Sequence, residues 1–349
     1  MFEIRKIEMK KNNKFLSLIF FSALLVLVIA CHENKNEPTN ESKNGMTKDS
    51  VLGYLDTKIN DDTTLAEPYV QRAKYYSRLK QYLMAYTDMQ KAIAIDSVNG
   101  GYHVMMGDIL FFTGQPYLSK KALEKALQCD MNNEEALFKM SQLLFYVKEY
   151  ENALLYVSRM EKVKPDDEKS GFLKGMIYKE KGDTALAIKT FQKCSEMNTQ
   201  NYDALMQLGI IYGVRNLKLS LQYYDAALRV KPQSVEALYG KAMYYQTAEM
   251  FDEAIQTYTT INEIDPKFRD AYFNIGYIHL VNLKTYSAAI PFFDKAIAAD
   301  SMYFQAYYNR GYCRELLGDI NNAREDYRKA LDANQAYDKP REALKRIGI

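Results

Sequence analysis

The stretch QAYYNRGYCRELLGDINNAREDYRKAL, residues 305–331, decides the fold. Tyr307 and Gly311 lie one helical turn apart and mark a first helix. Residues 317–319 (LGD) then interrupt the pattern. A second helix follows, with apolar residues at helical spacing: Ala323, Tyr327 and Ala330. Two helices joined by so short a turn form a hairpin. One hairpin of this size cannot bury its own apolar face, so it needs neighbours of the same kind.

The chain supplies these neighbours at steps of 33 to 35 residues. The small residue of the first helix recurs as Ala73, Gly107, Ser141, Gly175, Gly209, Ala242, Gly276 and Gly311. The second helix repeats a small residue as Ala85, Ser119, Ala153, Ala187, Ser220, Ala254, Ala289 and Ala323. Four residues later a large apolar one recurs as Met89, Leu123, Val157, Phe191, Tyr224, Tyr258, Phe293 and Tyr327. Three copies close with proline: Pro165, Pro232 and Pro266. This pattern predicts eight stacked hairpins.

The repeat resembles the tetratricopeptide repeat family, whose pattern has a period of 34 residues and ends in A-x3-F and a proline. The resemblance covers residues 66–335. The aromatic residue that leads the family pattern is kept at Tyr69, Tyr272 and Tyr307 but is replaced by leucine elsewhere, as at Leu137, and is lost at Gly171. The resemblance implies an all-α fold, an α-α superhelix or solenoid of about eight hairpins. It also implies a role in binding other proteins.

Shorter amphipathic segments flank the repeats. Residues 49–65 place four apolar side chains on one helical face and predict an N-terminal capping helix that resembles a second helix: Val51, Leu52, Leu55 and Ile59. Residues 336–349 predict a C-terminal capping helix that starts near Pro340. Such caps cover the outer faces of terminal repeats, which would otherwise expose apolar core.

One hairpin has an irregular sequence. It carries a one-residue insertion within residues 281–286, and Pro291 follows about one turn into its second helix if Ser287 is the N-cap. We therefore expect a local kink in this hairpin.

The N-terminus carries an export signal. Residues 15–30 (FLSLIFFSALLVLVIA) form an apolar run of the length of a signal-peptide core, and lysines precede it. The start is Met1 or Met9, since the segment before Met9 contains two acidic residues. The run ends at Cys31 and resembles a bacterial lipobox, so we predict a lipoprotein signal peptide at residues 1–30 and lipidation of Cys31. The alternatives are an ordinary secretory signal and an uncleaved anchor.

Residues 31–48 are polar and predict a flexible tether with a reach of about 20 Å. The resemblance to lipoproteins implies a stable anchor of several acyl chains, because a single chain binds membranes only marginally. We therefore expect an exported protein of the bacterial cell envelope that is anchored to a membrane. Aspartate does not follow Cys31, and in enteric-type bacteria this favours the outer membrane, facing the periplasm.

Composition and motifs exclude several classes of function. The net charge is +2, and residues 1–30 carry five basic and two acidic side chains, so the rest of the chain has a net charge of −1. No basic patch predicts nucleic-acid binding. No cysteine pair has metal-ligand spacing, and the histidines His103 and His279 fit packing positions. No catalytic motif is present. We predict no enzyme activity, no cofactor and no metal site.

Two columns of residues lie on one face of the first helices, three residues before and one residue after each small residue. In the family this face lines a concave groove that binds partners. Column one begins with Val70 and Val104, and column two with Lys74, Asp108 and Gln142. Further along, both columns become aromatic or apolar, and this part is the predicted partner-binding groove: Phe138, Phe172, Met176, Met206, Ile210, Tyr239, Met243, Phe273, Tyr277, Tyr308 and Tyr312. The alternative is that these side chains pack against adjacent first helices.

We therefore predict a non-catalytic scaffold or adaptor that binds a peptide or helix of a partner protein in an aromatic groove, held to the envelope by a lipid. Two alternatives stay open. The protein is an assembly factor that recruits an envelope enzyme, for example one acting on peptidoglycan, or it is a self-associating structural solenoid. The identity of the partner and the oligomeric state do not follow from the sequence.

Overall fold

The computed structural model describes residues 48–348, so the predictions for the signal peptide, Cys31 and most of the tether lie outside the described residues. Within residues 48–348 the chain forms eighteen α-helices and one π-helical turn, with no β-strand. The predicted all-α fold is confirmed. None of these described helices combines the length and the apolar character needed to cross a bilayer.

The helices group into two compact units, divided between Leu173 and Lys174 within helix α8. The first unit contains the helices α1 (Lys48–Asp61), α2 (Ala66–Arg78), α3 (Tyr82–Ile95), α4 (Gly100–Phe112), α5 (Pro116–Cys129), α6 (Glu134–Tyr146), α7 (Tyr150–Val163) and the start of α8 (Glu168–Lys181). Helices α2 to α7 form three hairpins, and α1 packs beside the first of them.

The second unit holds the rest of the described chain. It contains α9 (Thr184–Met197), α10 (Tyr202–Val214), α11 (Leu219–Val230), α12 (Val235–Thr247), α13 (Phe251–Ile264), α14 (Arg269–Tyr277), the π-turn Ile278–Asn282, α15 (Tyr286–Ala299), α16 (Phe304–Leu316), α17 (Ile320–Ala333) and α18 (Asp338–Arg346). The pairs α8/α9, α10/α11, α12/α13, α14/α15 and α16/α17 are hairpins four to eight.

Each hairpin is closed by a large second-helix side chain that lies against the small residue of the first helix. A Cβ atom added to Gly175 would lie 2.5 Å from the Phe191 ring, and one added to Gly209 would lie 2.7 Å from the Tyr224 ring. Phe191 and Tyr224 are both buried. The aromatic ring therefore occupies the volume that any larger first-helix residue would need, which explains why the two positions repeat together.

The turn inside each hairpin also repeats. One residue of the turn has a positive φ in all eight copies, namely Lys80, Gly114, Lys148, Gly182, Asn216, Glu249, Lys284 and Gly318. The next backbone N–H donates back into the last turn of the first helix, as from Gln81 to the Tyr76 carbonyl oxygen at 2.9 Å. This left-handed C-terminal residue ends the first helix and reverses the chain.

The irregular hairpin takes up its extra residue in the first helix. The helix changes from α to π over Ile278–Asn282, and the Leu283 N–H donates to the Ile278 carbonyl oxygen at 3.0 Å. A π-turn accommodates one additional residue without shifting the residues on either side. The second helix, α15, begins at Tyr286 with Thr285 as its N-cap. The expected N-cap at Ser287 is therefore wrong by two residues, and Pro291 lies in the second turn.

An arginine fixes the register of neighbouring second helices. Arg310 donates to both carboxylate oxygens of Asp326, at 3.0 and 2.6 Å, and to Asp294 of the preceding second helix. Arg72 makes the same three contacts, with Asp88 in α3 and with Asp56 in α1, and each acceptor lies 16 residues from the arginine. Helix α1 also starts 34 residues before α3, so it occupies the position of a second helix.

The contact between small and large residues predicts opposite effects of alanine at two glycines. Gly209→Ala in α10 is expected to lower the free energy of unfolding by about 1–3 kcal/mol, because the new methyl group would overlap the Tyr224 ring. Gly53→Ala in α1 is the control, since no atom lies within 4 Å of an added Cβ. It is expected to raise stability by up to about 1 kcal/mol, through helix propensity. Urea unfolding measures both, and equal effects would contradict the packing account.

Candidate partner-binding surface

In the first unit, column one is mostly buried and column two is polar. Val70, Val104 and Phe172 are buried, whereas Phe138 is half-buried. In column two Lys74 is exposed, and the Asp108 carboxylate lies 2.8 Å from the Lys139 ammonium of the next first helix. The predicted aromatic surface is therefore limited in this unit to part of Phe138.

In the second unit the two columns divide by depth. Met176, Met206 and Ile210 are buried, so little of their surface is accessible to a partner. Further along the chain, six members of the columns are half-buried: Tyr239, Met243, Phe273, Tyr277, Tyr308 and Tyr312. The first four of these lie on α12 and α14, the first helices of adjacent hairpins, and we call them the α12/α14 surface.

Column one also fills the junctions between hairpins. The Tyr239 ring contacts Tyr258 of its own hairpin and Phe268, which directly precedes α14, at centroid distances of 5.9 and 5.5 Å. Phe273 contacts Phe293 and Tyr303 in the same way, at 5.7 and 5.1 Å. Each of these rings joins one hairpin to the next, so these two side chains pack between hairpins, in part as the alternative interpretation of the columns expects.

The column-two side chains of this surface make different contacts. The Tyr277 ring stacks on Phe273 at 6.2 Å with an interplanar angle of 27°. The Met243 sulfur lies 3.1 Å from the Tyr258 hydroxyl oxygen. Tyr277 therefore lies beside a column-one ring, whereas Met243 lies beside the hydroxyl of a second-helix tyrosine.

A buried amide ties the α12/α14 surface together. The Asn274 Nδ2 group donates to the hydroxyl oxygens of Tyr239 and Tyr258, at 3.2 and 3.1 Å. The Tyr258 hydroxyl is 2.9 Å from Oε1 of Gln246 and can donate to it. Burial raises the pKa of both phenols, so both stay protonated at neutral pH. This network holds the Tyr239 ring in one orientation, and the column pattern did not predict it.

The end of the columns lies under the chain's own last helix. Tyr308 packs against the buried cluster that includes Tyr327 and, from α18, Ala343, and its ring lies 5.6 Å from that of Tyr337. The Arg346 guanidinium lies 5.8 Å from the Tyr312 ring and donates twice to Glu315, at 2.8 and 2.9 Å. These hydrogen bonds lower the pKa of Glu315. Helix α18 therefore covers much of the surface that Tyr308 and Tyr312 would offer a partner.

Carboxylates lie one turn before the column-one residues. Asp203, Glu236 and Asp270 precede Met206, Tyr239 and Phe273 by three residues, which places them on the same helix face. Asp270 accepts a hydrogen bond from the Tyr303 hydroxyl at 2.8 Å. Burial raises the pKa of its carboxyl, and this bond opposes the shift. The α12/α14 surface is thus apolar along its length and carries carboxylates at one side, where Asp270 lies 3.7 Å from the Arg269 guanidinium.

The histidines and cysteines of the described chain have local packing roles. The His279 ring stacks on Phe292 at 5.5 Å, and its Nδ1 lies 2.9 Å from the Thr285 hydroxyl. His103 contacts the Ser97 carbonyl oxygen. Cys129 and Cys313 are free thiols, Cys194 is buried in α9, and burial raises the pKa of Cys313 to about 12. Within residues 48–348 no three His, Cys, Asp or Glu side chains are grouped to hold a metal ion.

Family models place these hairpins among known repeats. A model described as tetratricopeptide repeat matches residues 66–99, 172–201, 270–301 and 304–337, and a second model of the same description matches residues 212–267. Together the matched segments cover just over half of the chain.

Curated relatives match over part of their length. The TPR repeat-containing protein MJ1428 of Methanocaldococcus jannaschii is 22% identical over 242 residues, which are 62% of this chain and 41% of that protein. RNA polymerase II-associated protein 3 of Mus musculus is 27% identical over 237 residues, 61% of this chain and 34% of that protein. The chain therefore spans about two fifths of these relatives or less.

Solved structures share the fold. The C-terminal part of a TPR repeat-containing protein from Cytophaga hutchinsonii aligns with a TM-score of 0.59 at 16% identity, over 68% of this chain and 98% of that one. A tetratricopeptide repeat protein from Parabacteroides merdae aligns with a TM-score of 0.51 at 17% identity, over 71% of this chain and 98% of that one. Identities this low establish the fold alone.

The different ring contacts of Phe273 and Tyr277 predict different costs of truncation. Phe273→Ala is expected to lower the free energy of unfolding by about 2–3 kcal/mol, because its ring joins two hairpins. Tyr277→Ala, one turn later on the same face, is expected to lower it by about 1 kcal/mol. Urea unfolding of the two variants measures both losses. A larger loss for Tyr277→Ala would contradict the assignment of the hairpin junction to Phe273.

Proposed function

Because the chain belongs to the tetratricopeptide repeat family, we propose that it is a non-catalytic scaffold that binds a segment of a partner protein on the α12/α14 surface. Tyr239 and Phe273 hold the surface rigid from below, and Met243 and Tyr277 contact the partner. The observation that carries the proposal is the stacking of the half-buried Tyr277 ring on Phe273, whose own ring packs at a hairpin junction.

The partner segment is apolar and carries a basic residue. Tyrosine and phenylalanine provide large contact areas with little rotamer entropy to lose, and methionine adapts to irregular shapes. A basic side chain of the segment would lie one helical turn away, near Glu236 and Asp270. The hydrogen-bond network around Asn274 supports this role, because a pre-organised aromatic surface loses less entropy on binding.

The scaffold is exported and held to the cell envelope through a lipid on Cys31, in the outer membrane and facing the periplasm. The support is in the sequence. An apolar run of sixteen residues ends at one cysteine and gives way at once to the polar segment HENKNEPTNESKNG. Several acyl chains on one cysteine anchor a protein stably.

The proposed lipid anchor predicts that Cys31 is the one cysteine that is lipidated. Cells expressing the full chain and fed an alkyne-bearing fatty acid should incorporate the label, and intact-mass measurement should show that residues 1–30 have been removed. Cys31→Ser should abolish the label. Cys129→Ser is the matched control, since Cys129 is an exposed free thiol, and it should keep the label. Labelled Cys31→Ser protein would refute the assignment.

The binding surface predicts position-specific capture. A photo-crosslinking amino acid in place of Tyr277 in the full chain should capture a partner in cells, and mass spectrometry identifies the crosslinked segment. Titration of that segment as a synthetic peptide against Met243→Ala/Tyr277→Ala should show affinity about tenfold or more below that of the unsubstituted chain. Gln142→Ala, at the same column position in hairpin three, is the control and should bind normally. Capture of a second copy of this chain would instead favour the self-associating alternative.

A further inference from the structure

The first unit exposes a cluster of apolar side chains at the turns inside its first two hairpins. The side chain of Leu83 is 75% exposed and that of Tyr117 is 67% exposed. Leu79, Met84 and Leu118 are exposed beside them. The half-buried Tyr82 ring stacks on Phe112 of the second hairpin at 5.5 Å, which joins the two turns into one surface. We call this surface the turn edge: Leu79, Tyr82, Leu83, Met84, Phe112, Tyr117 and Leu118.

The fold does not require apolar residues here. Leu83 and Met84 occupy the second and third residues of α3, and Tyr117 and Leu118 occupy the same positions of α5. The equivalent residues of α17 in the last hairpin are Asn321 and Asn322, and they are exposed too. A surface of leucine, methionine and tyrosine where a sister hairpin has asparagines indicates a binding role.

The charge of the turn edge is basic. Residues 79–84 and 113–121 contain three charged side chains, Lys80, Lys120 and Lys121, and no carboxylate. The Lys121 ammonium lies 4.6 Å from the centre of the Tyr117 ring. The nearest ion pair joins Lys120 to Glu149 of the third hairpin at 3.7 Å, so one carboxylate borders the surface. Exposed tyrosine and leucine flanked by lysine are suited to the interface of an anionic bilayer.

The N-terminal segment leaves the fold at this same edge. Helix α1 has the register of a second helix, because Arg72 binds Asp56 as Arg310 binds Asp294. Its first residue, Lys48, precedes Tyr82 of α3 by 34 residues, one repeat. Second helices begin at the turn of their hairpin, so α1 begins on the side where α3 and α5 begin. The chain that carries the apolar run and Cys31 therefore departs beside the turn edge.

We propose that the turn edge rests on the surface of an anionic lipid bilayer, with Leu83 and Tyr117 at the headgroup level and the lysines on the lipid phosphates. The inference rests on the proposed membrane anchor and on the predicted tether, whose root-mean-square reach of about 20 Å would allow this edge to meet the bilayer. It adds an orientation to the anchor: the first unit would contact the membrane through one edge of its hairpins.

The chain contains no tryptophan, so one introduced tryptophan is a clean reporter. The reporter variant is Tyr117→Trp. The control is Val98→Trp, because Val98 is 78% exposed in the same unit but lies in the loop after α3, about 20 Å from the turn edge along that helix. Each chain, from residue 32 onward with an N-terminal hexahistidine, is attached to phosphatidylglycerol vesicles that contain a nickel-chelating lipid and a phosphatidylcholine with brominated acyl chains.

Tyr117→Trp should show a blue-shifted emission and lose about twofold or more of its fluorescence to the brominated lipid, whereas Val98→Trp should lose little. Adding Leu83→Ser to the Tyr117→Trp chain should reduce the quenching, as should zwitterionic vesicles. Equal quenching of the two reporters, or none at Tyr117, would overturn the inference and leave a protein partner as the occupant of this edge. Nickel attachment does not depend on Cys31, so this outcome is separate from a failure of lipidation.

Discussion

The structure depends on one steric pairing, a small first-helix residue against a large second-helix side chain. At Gly209 the Tyr224 ring lies so close that a single methyl group would overlap it. Because protein interiors are close-packed, such a site does not adjust freely, and overfilling it costs about 1–3 kcal/mol. The same ring also lies 2.6 Å from where a Cβ of Gly240 would stand, in the next hairpin. One tyrosine thus closes its own hairpin and sets the distance to its neighbour, so the contact that makes a hairpin also makes the stack.

This pairing is visible in the sequence, which is why the number and register of the hairpins could be predicted. The burial of each column side chain could not be predicted. Tyr239 and Tyr277 lie on equivalent helix faces, and periodicity identifies a face without indicating how deeply a ring is buried. Tyr239 is held in a junction because Phe268 comes from the next hairpin and Asn274 donates to its hydroxyl. Both partners lie about one repeat away, where a pattern within one hairpin gives no information. For the same reason the sequence did not predict that α18 covers Tyr308.

The arginine contacts correspond to a spacing in the sequence that the hairpin pattern does not include. Arg72 and Arg310 each directly precede the small first-helix residue, and an aspartate lies 16 residues before and 16 residues after each of them. Asp326 is buried and accepts from Arg310 and Arg314, whereas Asp294 is about half exposed. Breaking a buried pair costs several kcal/mol, and an exposed pair contributes little, so the inner aspartate carries most of the stabilisation. The outer aspartate mainly indicates the register of the preceding second helix. Because Asp56 occupies this position, α1 is the equivalent of a second helix.

The residues at the start of the second helices differ along the chain, being apolar and exposed in hairpins one and two and polar in hairpins six and eight. In the first unit column two is polar, with Lys74, Asp108 and Gln142, while the turns of the first two hairpins expose leucine and tyrosine. In the second unit column two is apolar, and the turns of hairpins six and eight carry Asp252, Glu253, Asn321 and Asn322. A repeat fold permits this exchange because neither position is needed for the contact that closes a hairpin. Substitutions at Tyr117 and at Tyr277 should therefore act independently, since they share no packing partner among their described ring contacts.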